Sequence, residues 1–185
     1  MGKRIGFVAI AFLLVVASGW TQTSKLFQVV TSGTPQDVQD AIAGGADVNA
    51  RDKANMTPFM WAAESSEDTD VIATLLNAGA DANAKGNGGE TVLMYAAGQN
   101  ADAEVIAFLL KAGAEINASD LEYNRTALMW AAENNRNPEV IMVLLSGGAD
   151  AKIKDSEGMT ALDYAENNSR LKGTDAMKQL EEASR

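Results

Sequence analysis

One pentapeptide pattern recurs four times along the chain. Gly45-Ala46-Asp47-Val48-Asn49 returns as Gly79-Ala80-Asp81-Ala82-Asn83, Gly113-Ala114-Glu115-Ile116-Asn117 and Gly148-Ala149-Asp150-Ala151-Lys152, at spacings of 34, 34 and 35 residues. Thr57-Pro58-Phe59-Met60-Trp61-Ala62-Ala63 keeps the same beat with Thr91 to Ala97, Thr126 to Ala132 and Thr160 to Ala165. So do the pairs Leu75-Leu76, Leu109-Leu110 and Leu144-Leu145. A fixed period near this length restricts the chain to stacked structural repeats, because one such unit cannot bury its apolar face alone. A stack of this kind offers a surface for binding, and any chemistry has to be argued from particular residues.

Within one period the residues spell helix, turn, helix and a hairpin-like finger. Thr57 is suited to cap a helix, and Pro58 to its first position, where no amide donor is needed. Phe59, Ala62 and Ala63 then fall on one helical stripe, with alanines small enough to let neighbouring helices approach. Val71, Ile72, Leu75 and Leu76 form the stripe of a second helix, which Gly79 ends. Asn137-Pro138-Glu139 starts the corresponding helix of the fourth unit, and Thr34-Pro35-Gln36-Asp37 makes a capping-box pattern in the first. Asn55 and Asn124 stand at turn positions that favour a left-handed backbone, which asparagine tolerates.

Composition removes several functions. The 185 residues include no cysteine and no histidine, so the usual thiolate, general-base and zinc chemistries lack their side chains. A formal net charge of -10 argues against nucleic acid as a partner, since phosphate binding needs a basic face. The first residues form a separate object. Lys3-Arg4 precede an apolar run from Ile5 to Ala17, followed by Ser18 and Gly19. That layout predicts a secretory signal over 1–19, with residues 20–23 as a short linker. Cleavage removes Lys3 and Arg4 and no acid, taking the charge from -10 to -12. An acidic, cysteine-free exported chain fits a bacterial periplasm or the cell exterior; an uncleaved segment would instead tether it to a membrane facing the periplasm.

The repeat resembles the ankyrin family. The family pattern of Gly-x-Thr-Pro-Leu-His-x-Ala-Ala, Val-x-x-Leu-Leu and Gly-Ala-Asp-Val-Asn is matched by Thr57-Pro58-Phe59, Ala62-Ala63, Leu75-Leu76 and Gly79-Ala80-Asp81. The resemblance implies an all-α ankyrin-repeat solenoid over 24–185, with five units at 24–49, 50–83, 84–117, 118–152 and 153–185. The first and last units read as caps, the last carrying a polar second helix near Asp175 to Ala183. The family's histidine is replaced by Met60, Met94, Met129 and Asp163, so the usual Thr-to-His hydrogen bond is expected to be missing and each helix start looser.

The resemblance also implies where a partner would sit, in the concave groove and on the fingers. Trp61, Tyr95, Trp130 and Tyr164 occupy one equivalent position per unit, so stacking would align them as a ladder. The variable polar positions beside them are Glu64, Ser65, Gly98, Gln99, Glu133 and Asn134. Tyr123 and Arg125 lie on an elongated finger with Leu121. The function expected is a non-catalytic adaptor that binds another protein as a monomer, without cofactor or metal. Alternatives are a tethered protein supporting a periplasmic enzyme and a hydrolase using Glu64 and Glu133 as paired carboxylates. The acids from Glu67 to Asp70 are read as a helix-start cluster rather than a calcium loop.

Overall fold

The computed structural model describes residues 21–66, 68–99 and 102–185. The predicted signal segment and Glu67 lie outside the described residues. Helix α1 covers 21–32. It is followed by α2 (Pro35–Ala43), α3 (Pro58–Ser65), α4 (Thr69–Asn77), α5 (Val92–Gln99), α6 (Ala103–Lys111), α7 (Ala127–Asn134), α8 (Pro138–Ser146), α9 (Ala161–Asn167) and α10 (Asp175–Ala183). No strand forms among the described residues; single bridges, Lys85 to Thr91 and Ser119 to Thr126, close two of the fingers.

The helices stack in two rows. First helices α3, α5, α7 and α9 each pack on the next, and second helices α2, α4, α6, α8 and α10 do the same. The alanine pairs Ala62-Ala63, Ala96-Ala97 and Ala131-Ala132 are wholly buried in the first row. Their small side chains let these helices lie close together. Leu75, Leu109 and Leu144 are wholly buried in the second row, whereas Leu76, Leu110 and Leu145 pack against the core only in part. The all-α solenoid anticipated from the period is therefore what forms.

The proposed linker is not one. Residues 21–23 are helical, because no glycine or proline interrupts the chain before Gly33 and Leu26 with Val30 gives α1 a buried i, i+4 stripe. Thr23 is also tied into the array, its hydroxyl accepting from the Asp47 amide at 3.0 Å.

The helix starts are not left loose either. Thr57 Oγ1 accepts from the Met60 amide at 3.2 Å, and the Met60 thioether in turn accepts from the Thr57 amide at 3.4 Å. Thr91 with Met94 and Thr126 with Met129 repeat the arrangement. A thioether is a weak acceptor, but these sites are buried and the amide would otherwise have no partner. In the last unit Asp163 takes both the amide and the hydroxyl of Thr160.

Asparagines join one unit to the next. The Asn49 amide donates to the Gly79 carbonyl at 2.9 Å, and its oxygen accepts from Asp81 N–H at 3.0 Å. Asn83 does the same for Gly113 and Glu115, and Asn117 for Gly148 and Asp150. A second, buried pair runs beneath the turns between helices. Asn135 donates to the Ala97 carbonyl at 2.7 Å, and Asn168 to the Ala132 carbonyl at 3.0 Å. Carbonyls at helix ends thus gain side-chain partners from the neighbouring unit.

Candidate functional site

Each finger is built around one carboxylate. Asp52 Oδ1 accepts from the amides of Ala54 and Met56, folding the finger over itself. Its other oxygen accepts from the Trp61 indole at 2.9 Å, which pins the finger to helix α3. Asp120 binds the Tyr123 amide and the Trp130 indole in the same way, and Asp155 binds the Glu157 and Met159 amides and the Tyr164 hydroxyl. The third unit has Gly86 at that position. Glu90, from the opposite side of the finger, takes over: its carboxylate accepts from Gly88 N–H at 3.0 Å and from the Tyr95 hydroxyl. The ladder aromatics are therefore half-buried, with their polar atoms turned to the fingers. Burial pushes Tyr95 up to about 12, with the charges of Glu90, Glu64 and Asp52 adding to the shift. Burial and the bond to Asp155 raise Tyr164 to about 12 against the opposing charge of Arg125.

The four rings do not form an even ladder. Tyr95 meets Trp130 edge to face, with centroids 6.2 Å apart. Between Trp130 and Tyr164 the guanidinium of Arg125 intervenes, 5.9 Å from the first ring centroid and 4.4 Å from the second. Arg125 also forms an ion pair with Glu133, and its side chain is only 16% exposed. Arg125 is thus an internal strut, and Glu133 its counter-ion. The expectation that Glu133 is a free contact residue is corrected accordingly, since it also accepts from Asn134. A Glu64–Glu133 catalytic pair loses its symmetry for the same reason: one carboxylate is neutralised by Arg125 while Glu64, half-buried, has its carboxyl raised by burial.

Other predicted positions separate clearly. Ser65, Gln99 and Asn134 are exposed. Gly98 is buried and lies beneath Trp130, where an added β-carbon would sit 3.1 Å from Cε3, so it presents no surface to a partner. Leu121 is 81% and Tyr123 45% exposed on the fourth finger. That finger is held on both sides: Leu121 N–H donates to the Gly88 carbonyl at 2.6 Å, and Ser156 N–H to the Tyr123 carbonyl at 2.8 Å. At the other end, Trp61 and Asp52 border an open groove of about 530 Å³ with Ser24, Phe27, Gln28 and Thr31 of α1. The left-handed turn positions fall as expected, Asn55 at φ 62° and Asn124 at φ 57°. Asp68 caps α4 through the Asp70 amide at 2.8 Å.

The family model described as Ankyrin repeats (3 copies) matches residues 26–120 and 119–180. The chain belongs to the ankyrin-repeat family. No curated protein matches it. Ankyrin repeats are modules of protein–protein interaction, and this array carries their finger and helix-row surfaces. Sequence reasoning missed the finger carboxylates of the ankyrin units, although Asp52, Asp120 and Asp155 share one register and Glu90 stands opposite the exception, Gly86.

Proposed function

We propose that this ankyrin array is an exported, non-catalytic adaptor, monomeric by itself, which docks another protein along its fingers and the aromatic edge of its first-helix row. Leu121 and Tyr123 carry the reading. They are large apolar side chains exposed on one finger, where solvation alone would favour polar residues. Backbone hydrogen bonds to both neighbouring fingers hold them in place. A pre-ordered surface of this kind loses little conformational entropy on binding. The net charge of -10 favours a partner patch that is neutral or basic. The charged start and apolar run before Gly19 support export.

A photo-crosslinking side chain at position 123 should capture the partner from the native envelope. Titrated against that partner, Leu121→Ala and Tyr123→Ala should weaken binding by about tenfold or more, with Lys178→Ala on α10 unchanged. Binding lost only in Lys178→Ala would move the docking surface to the last unit. Protein from the same envelope should start near Ser18 or Trp20 by intact mass; a retained Met1 would make it a tethered protein.

A further inference from the structure

The three gaps between successive ladder aromatics are filled in three ways, and one of them is unfilled by the chain itself. The Tyr95–Trp130 gap is closed by the rings touching. The Trp130–Tyr164 gap is filled by the Arg125 guanidinium, which stacks on both rings and pairs with Glu133. The Trp61–Tyr95 gap has the same aromatic frame, and Glu64 occupies the register of Glu133. The residue in the register of Arg125 is Met56, which is buried and uncharged. Among the described residues no hydrogen bond or ion pair engages Glu64, and no ring contact joins Trp61 to Tyr95.

The surroundings of that gap are acidic. Asp52, Glu64 and Glu90 all act on the Tyr95 ring. Arg51, the nearest arginine in sequence, is committed to the carbonyls of Asn55 and Lys85. Trp61 and Glu64 are only half-buried, and Trp61 borders the open groove along α1. The gap is therefore reachable from solvent, lined by two aromatic side chains and lacking the cation that balances its counterpart.

We propose that the Trp61–Tyr95 gap, with Glu64 at its edge, receives an arginine side chain of the docked protein. The proposal rests on the docking function above and gives the partner's chemistry. Arg125 shows what fits such a frame: a planar guanidinium stacked on the rings with a carboxylate on its edge. Guanidinium suits the frame better than ammonium, because its plane stacks on aromatic faces and its fork matches a carboxylate.

The test needs no identified partner. The probe is N-acetyl-arginine amide added to the isotope-labelled full array, with the citrulline and lysine amides as controls. The Trp61 indole N–H resonance should shift saturably with the arginine amide, weakly with lysine and not with citrulline, while the Trp130 indole stays still. Glu64→Gln should weaken the response about fivefold. Met56→Arg supplies a guanidinium in the register of Arg125 and should abolish it. Equal shifts with citrulline, a still Trp61 resonance, or an unchanged response in Glu64→Gln would each overturn the proposal. If position 123 still crosslinks a partner while Trp61 is unmoved, the gap assignment fails and the docking surface stands. If Trp61 responds but nothing crosslinks, the docking reading fails instead.

Discussion

Asn83 reaches forward to Glu115, accepting from its amide at 2.8 Å across 32 residues of sequence. The same side chain donates to the Gly113 carbonyl at 3.1 Å, so one residue joins the finger of its own unit to the end of helix α6 in the next. Asn83→Ala should cost about 1–2 kcal/mol, read as a lower urea midpoint. Faster amide exchange at Glu115 should accompany it. Unchanged exchange at Glu115 would mean that this bond does not form in solution.

The leucine pairs divide their work. Leu109 is wholly buried and Leu110 only partly, so Leu109→Ala should cost about 2–5 kcal/mol and Leu110→Ala clearly less. The sequence pattern alone made Leu110 an equal choice. Denaturant unfolding of the two variants decides, and equal losses would contradict the burial difference.

Gly89 and Gly158 hold the same turn position at φ 81° and 82°, but their surroundings differ. A β-carbon at Gly89 would lie 2.6 Å from Leu121 Cγ and 3.0 Å from the Leu121 backbone nitrogen, whereas nothing lies within 4 Å at Gly158. Alanine at Gly158 should cost about 1–2 kcal/mol from backbone strain alone. Alanine at Gly89 should cost more and disturb the fourth finger, seen as shifted Leu121 and Tyr123 resonances. Equal costs would show that the finger yields without resistance.

Alkaline pH should unfold the array by a predictable route. Tyr95 and Tyr164 sit near 12 in the folded chain against an ordinary value of 10.0. Both are neutral in either state at lower pH, so their contribution is complete below about 10. It is lost as pH rises toward about 12, because the unfolded chain releases these protons first. Tyrosinate absorbance should lag behind that of Tyr123-like exposed phenols, and Tyr164→Phe should flatten the fall of stability over this range. An unchanged slope in Tyr164→Phe would refute the assignment.

The fold was legible because its determinants repeat. Thr57, Pro58, Ala62-Ala63, Leu75 and Gly79 each act within a few residues of their position, so one period displays the whole helix pair. The site was less legible because its partners lie in other units or fingers. Nothing local marks Arg125 as a strut for Tyr164, nor Asn83 as the partner of Glu115. Met60 as an acceptor for the Thr57 amide also escaped, since sulfur replaces the expected imidazole only where burial removes competing water. Residues 21–23 were read as a linker because α1 has no capping signal in the described chain to mark where it starts.

The forward-reaching asparagines give the array a direction of growth. Each unit carries the latch for its successor, and Thr23 serves that role for the Asp47 amide in the first. At the corresponding place in the fourth unit stands Lys152, whose side chain has no amide oxygen to offer a following backbone N–H. An extra unit grafted after α10 would therefore arrive unlatched unless Lys152→Asn came with it. A unit inserted between α4 and α5 would find a latch on both sides.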